Sequence, residues 1–378
     1  MKVSLAVNKN KTRGEKFLYE TFNCFRTKLI NKLKFNMYFK KPSSEQATIN
    51  IFFKDNNGGL SHDARLLTNI LKSAGFLIFH NGKPINHNKK FKLKNYCIKS
   101  IRSLIGLKPY SEKKKCTLSI HLESIAKYNL RSANKNIFIP NLEWLREVTY
   151  DLLSEIDLFI CKTRSSFEFF NERSLPAVYT SFSSIRPNSD RYKQKPNTFI
   201  HIAGNSTEKG TLALLQLWSK HPKWPILTVV TRDADYVHKF KTNNINLINR
   251  FLEQSKLEQL QNESEVHLCP SEAEGFGHYI CEPLSLGAIV VTVDGFPMNE
   301  LVQPERGFLV HSIHQERLRY AKKFTFDPKD LEKKIEFILK MSPNEKEKMK
   351  KNAIEWFNRN HSFFHNKFLS TIEIFICK

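Results

Sequence analysis

The chain has 378 residues, 40% hydrophobic and 12% aromatic, with 60 lysines and arginines against 37 aspartates and glutamates and a formal charge of +23. That length exceeds one ordinary core and suits two domains, while no run approaches the ~18 uninterrupted apolar residues of a membrane span. The opening MKVSLAVNKNKTRG lacks the long apolar core and cleavage site of a secretory signal, and seven scattered cysteines without a C-x-x-C pair argue against a disulfide framework and a zinc site.

The expected elements alternate strand and helix along the chain, the pattern of parallel sheets covered by helices. VSLAV precedes the helical GEKFLYETFNCFRTKLINKL, and TINIFFK (48–54) precedes a glycine turn and the helix ARLLTNILKSAG. SIHLES, NIFIP and DLFICK continue as central strands. The polar, proline-bearing segment 181–198 reads as a linker. A second series follows: TFIHIAG, the helix TLALLQLWSK, PILTVVT, NINLINR, the helix EQSKLEQLQNES, EVHLCP, a helix after Glu274, AIVVTV and GFLV. From Asp327 the pattern is helical and charged, with an aromatic stripe of Trp356, Phe357, Phe363, Phe364 and Phe368 that reads as packing. The expected organisation is an α/β chain of two doubly wound, Rossmann-like domains, 1–185 and 186–340, with helices 341–378 returning to the first. Ligands then belong at the carboxyl ends of the strands, in the cleft between the domains.

The charge asks for an anionic partner. The densest clusters, Lys90 to Lys94 and Lys113 to Lys115, lack interleaved aromatics, so they read as solvated faces and nucleic acid is not an expected partner. An anionic membrane surface stays open for them, since each clustered lysine gains about 1 kcal/mol near acidic lipid. The expected location is cytoplasmic, free or peripheral at such a surface.

The stretch HLCPSEAEGFGHYICEPLSLGAIVVT holds strand, loop, helix and strand, with seven residues between Glu274 and Glu282. Gly275 and Gly277 let the backbone approach a ligand, and Pro283 is tolerable if its missing N–H falls among the first-turn donors. A helix N-terminus suits a diphosphate, and an ionised carboxylate suits adjacent sugar hydroxyls, which together describe a nucleotide sugar. In HIAGNSTEKGT a strand ends at Gly204 and Asn205, and Lys209 opens a helix. Arg232 ends another strand. In the first domain, Gly58 and Gly59 lie in a turn after a strand, and His62, His121 and Glu123 follow strands there.

The E-G-F-G-x-x-x-x-E-P-L-S-x-G pattern with its preceding P-S resembles the E-x7-E signature of retaining glycosyltransferases with the GT-B fold, especially family four. The resemblance covers about 198–310 well and the first domain only in pattern. It implies that Glu274 meets hydroxyls of the transferred sugar, that the amides around Phe276 and Gly277 help hold it, and that Glu282 takes the ribose hydroxyls. Lys209 would neutralise the diphosphate. Asn205 stands where the family commonly offers a second basic residue, a place Arg232 could fill. Gly58 and Gly59 would face the phosphates, the DGFPMNELV loop with Glu300 would close the donor site, and His62, His121 and Glu123 are acceptor-side candidates. Asn141, Glu143 and Lys162 to Arg164 resemble segments of relatives without a readable role. The implied activity is transfer of sugar from a UDP- or GDP-sugar type of donor to a hydroxyl of a glycan, lipid or protein, with retention, without metal or other cofactor, in glycan or glycoconjugate synthesis. The alternatives are a sugar-nucleotide epimerase or phosphorylase on the same fold, or a basic module binding nucleic acid or membrane without catalysis.

Overall fold

The computed structural model describes residues 47–56, 58–84, 116–188, 192–233, 235–240 and 242–377, which belong to one compact unit, Ala47–Lys378. VSLAV with its helix, and the two lysine clusters, lie outside the described residues.

The first sheet contains β1 (Thr48–Phe52), β2 (Leu77–His80), β3 (Lys83–Pro84), β4 (Cys116–Leu122), β5 (Ala133–Ile139), β6 (Leu158–Cys161) and β7 (Ala177–Tyr179), in the order β3-β2-β1-β4-β5-β6-β7. All pairs are parallel except β2 with β3. The second sheet contains β8 (Lys195–Gly204), β9 (Leu227–Thr231), β10 (Ile245–Ile248), β11 (Ser264–Cys269), β12 (Ile289–Val293) and β13 (Gly307–Val310), in the parallel order β10-β9-β8-β11-β12-β13. Strands covered by helices on both faces read as continuous apolar runs, and β11 and β12 are buried at every position. These are the two doubly wound, Rossmann-like domains expected from the alternating pattern. Each sheet reverses its order once, between β1 and β4 and between β8 and β11, and at such points the following loops diverge and open a crevice.

The helices that shape the cleft are α1 (Gly59–Ser73), α2 (Arg164–Asn171), α3 (Thr211–Ser219), α4 (Gln254–Glu263) and α5 (His278–Ser285), followed by α6 (Pro328–Lys340) and α7 (Pro343–Cys377). On α7, Ala353, Phe357, Phe364, Phe368 and Ile372 recur on one buried face, the spacing of an amphipathic helix. Of the aromatic stripe, Phe363 instead stays 48% exposed and tilts against Tyr179. α7 spans both domains: Lys135 donates to the Phe375 carbonyl at 2.7 Å, and Lys346 and Lys350 bind Glu265 at the start of β11.

Two features depart from the expectations. The front of segment 181–198 is core, with Phe182, Ser183 and Ser184 buried, because α7 satisfies its polar groups through Asn360 and His361. An antiparallel hairpin, β14 (Ser312–Leu318) and β15 (Ala321–Phe326), follows β13. It turns through Arg319 at φ 54° without the Asn-Gly or Asp-Gly pair that marks such turns.

Phe368 is fully buried, so Phe368→Ala is expected to cost about 3–5 kcal/mol, measured by urea unfolding.

Candidate functional site in the cleft

The second-domain wall is set by the turn after β8. His201 within β8 is buried, which pushes its imidazole down to about 4 and keeps it neutral. Its Nδ1 faces the Leu268 carbonyl at 2.8 Å, an acceptor only, so Nδ1 carries the proton and Nε2 accepts from the Thr211 hydroxyl at 2.9 Å. These bonds tie β8, β11 and the start of α3 together. Gly210, at φ 63°, sits so close to β11 that a Cβ would lie 2.5 Å from the Pro270 carbonyl. Only glycine meets both demands.

That approach brings Lys209 to Glu274. Their side chains form an ion pair, 15% and 12% exposed, and the Ser271 hydroxyl donates to the same Glu274 oxygen. Burial holds the Tyr279 phenol far above its usual value, so it is protonated and donates to Ser271 at 2.6 Å. The Lys209 ammonium also lies 3.8 Å from the Tyr279 ring centroid. Asn205 and Arg232 are exposed at the mouth, and the Arg232 guanidinium stands over Phe251 rather than in this group.

α5 starts after Gly277. Phe276 is 3% exposed and packs its ring on Phe182 and His278, so only its backbone faces the cleft. Pro283 is the sixth residue of α5, beyond the first-turn donors that were expected to absorb its missing N–H. The Tyr279 carbonyl, which an amide at 283 would have bonded, takes the Cys269 thiol at 3.3 Å instead. Glu282 accepts from Gln261 at 2.8 Å and lies 3.6 Å from Nδ1 of His62 across the cleft.

In the first domain, the Gly58 amide donates to Asn56 at 2.9 Å and α1 begins at Gly59. One turn on, Asp63 is buried between the Lys162 ammonium and Nε2 of His278, each at 2.7 Å. Burial alone would raise its pKa, but the Lys162 charge and the hydrogen bond with His278 hold it below the usual carboxylate range. His278 joins Ser184 through its other nitrogen at 2.7 Å. Neither Asp63 nor His278 stands out in the sequence: one ends a turn motif and the other fills a free position of E-x7-E. Their pairing spans 215 residues, and no local spacing signals it.

His121 is fully buried, stacked on Phe52 with ring centroids 5.2 Å apart and bonded to Asn136 at 3.0 Å. Glu123, at φ 64°, accepts from Asn141 at 3.0 Å, and burial raises its pKa. Gly275 is where the domains press hardest. A Cβ there would fall 2.4 Å from Oδ1 of Asn141 and 2.7 Å from Oε1 of Glu143. Burial pushes Glu143 up to about 8, reinforced by the nearby charge of Glu274, so it is protonated at neutral pH. Glu300 also crosses the cleft: its oxygens accept the amides of Arg164 and Ser165 at 2.8 and 3.1 Å, capping α2 beside Thr163. Among the described residues no cluster of three or more His, Cys, Asp or Glu is arranged to hold a metal, and no helix is long and apolar enough to cross a membrane.

Two predictions follow from the buried carboxyls. An unfolded glutamate releases its proton near 4.5 while folded Glu143 keeps it to about 8, so the folded state binds more protons between those values and its stability declines as pH rises through them. Glu143→Gln removes this slope and is expected to melt at least about 2 °C above the parent protein at pH 8, with the gap closing towards pH 5 in thermal scans. Asp63→Ala strands the Lys162 ammonium, whose side chain is 3% exposed, and is expected to cost about 3–5 kcal/mol in chemical denaturation.

Comparison with known proteins agrees with this architecture. Among solved structures, the sucrose-phosphate synthase of Thermosynechococcus elongatus superposes with a TM-score of 0.64 at 14% identity, covering 88% of this chain and 100% of that one. A glycosyltransferase of Rickettsia africae gives 0.63 at 14% identity over 88% and 99%. The Anabaena protein HepE, solved in complex with UDP and glucose, gives 0.58 at 14% identity over 87% and 100%. These likenesses identify the GT-B fold. No curated protein matches the chain significantly. The family described as group 1 glycosyl transferases matches residues 168–356, half of the chain, and thereby takes in β8 to β13 together with Lys209, Glu274 and Glu282 in the segments between them. The chain belongs to the group 1 glycosyl transferases.

Proposed function

We propose that the protein transfers a sugar from a nucleotide diphosphate sugar, of UDP or GDP type, to an acceptor hydroxyl with retention at the anomeric carbon. The observation that carries this reading is the Lys209–Glu274 pair at the switch point of the second sheet. Donor binding exchanges that ion pair for two new contacts: the ammonium turns to the diphosphate, and the carboxylate accepts from sugar hydroxyls. The UDP and glucose held by the Anabaena protein of the same fold support a donor of this class.

In the transfer, the bond from the anomeric carbon to the phosphate oxygen breaks while a bond to the acceptor oxygen forms on the same face. The acceptor's proton passes to the departing phosphate. The developing negative charge meets fixed positive potential from Lys209 and from the free amides at the start of α5. On this reading the chain's own groups neutralise the leaving diphosphate, and neither metal nor other cofactor takes part. Glu282, beside Gln261 and His62, accepts from the ribose hydroxyls. Residues 186–340 form the donor domain, 1–185 the acceptor domain and 341–378 the returning helices. The acceptor is a glycan, lipid or protein, and the work is glycan or glycoconjugate synthesis in the cytoplasm, with peripheral attachment to an anionic membrane through the basic surface.

Thermal-shift measurements against UDP, GDP and their sugars give the first test, since a ligand at a hundredfold its Kd adds about 2.7 kcal/mol; a flat panel would sink the reading. With an active donor, Lys209→Ala and Glu274→Gln are each expected to lower turnover by about 10²–10³ while the folded circular dichroism spectrum persists. NMR of the product is expected to show the donor's anomeric configuration, and an inverted product overturns the mechanism.

A further inference from the structure

The β14–β15 hairpin is anchored at both ends. On its returning strand, Lys323 pairs with Glu208 and Glu272 at 2.8 and 3.0 Å, one residue before Lys209 and two before Glu274 of the central ion pair. Phe324 and Phe326 are buried there, Phe324 against Gly295, where any Cβ would collide with its ring. At its tip, Tyr320 stacks on Tyr150 of the first domain, with ring centroids 5.1 Å apart and planes 7° from parallel, and meets Phe169 edge-on. Arg319 donates to the Glu143 carbonyl at 3.1 Å and covers Trp144. The hairpin therefore bridges the cleft from one domain to the other.

Beneath it lies a cavity of about 620 Å³, within the size range of small-molecule sites. Glu274 and Gly275 are part of its lining, Arg317 and Lys322 line it from the hairpin, and Glu168 on α2 and Arg173 just past the end of that helix line it from the first domain. Phe296, 51% exposed, forms part of the same lining. Strand order orients this cavity. Along the sheet Arg232 follows β9, Gly204 ends β8, Glu274 follows β11, Phe296 follows β12 and the hairpin follows β13. Glu274 thus stands between Lys209, assigned to the diphosphate, and the Phe296 and hairpin walls of the cavity on the other side.

We propose that this cavity is the acceptor site, that its occupant is a carbohydrate, and that the hairpin determines which one is accepted; the acceptor role rests on the transferase reading above. Carboxylates and cationic donors on facing walls suit a ring bearing hydroxyls, which are donors and acceptors at once. An exposed phenylalanine offers a flat surface for the apolar C–H face of such a ring. An acyl chain would leave these charges desolvated, and a polyphosphate would face Glu168 and Glu274.

Saturation-transfer NMR on the full chain tests this with glucose, galactose, mannose, N-acetylglucosamine, maltose and lactose as probes, alongside separate calorimetry of UDP and GDP. At least one sugar is expected to receive saturation, and Phe296→Ala and Arg317→Ala are each expected to weaken that sugar at least fivefold with nucleotide affinity kept within twofold. Arg317 is solvent-exposed, so its variant reports on binding without disturbing the core. Absence of any sugar signal, or variants that bind the sugar as the parent does, overturns the proposal. Sugar binding without nucleotide binding supports the cavity assignment while counting against the donor reading.

Discussion

Asp63 has almost no water to solvate its charge, and that single constraint organises the cleft. A carboxylate so placed stays ionised only with strong partners in fixed geometry, and it takes Lys162 from its own domain and His278 from the other. Because His278 opens α5, its bond to Asp63 also sets where the Gly277 amide and Glu282 stand relative to α1. The close contact of Gly275 with Asn141 and Glu143 is the steric side of the same arrangement: the electrostatic partners draw the domains together, and a missing side chain lets them meet.

Carboxyl groups crowd this region, yet each is handled differently. Glu274 is neutralised by Lys209, the pKa of Glu300 is raised by burial although two backbone amides bond it, and Glu143 keeps its proton because burial and the charge of Glu274 both oppose ionisation. Proximity to positive groups, rather than residue type, decides which carboxyl carries charge. Glu274 can therefore remain an acceptor of hydroxyl hydrogen bonds without repulsion from Glu143.

Much of this was legible from local pattern. Alternating apolar runs and helical periods marked the central strands of both sheets, since strands buried on both faces leave no room for polar residues. The loop glycines, Lys209 and Glu274 stood after recognisable strand ends, and Glu282 in the helix that follows. What escaped were features made by distant pairing. The hairpin carries charged residues on both strands and a turn through Arg319, so neither hydropathy nor turn chemistry announced it. Segment 181–198 looked like a solvated linker because serines normally prefer water, but α7 supplies their hydrogen bonds and buries them. The displaced role of Pro283 depended on a thiol from β11, which no reading of the helix alone contains.

The Glu300 cap joins two quantities that are usually independent. The first two amides of α2 find their acceptor on the opposite domain, so separating the domains strips those amides of it while Thr163 still caps Ser166, and the width of the cleft and the hydrogen bonding of the Arg164 and Ser165 amides become one variable. Solvent exchange at the Arg164 and Ser165 amides is consequently an internal gauge of how often the two domains part.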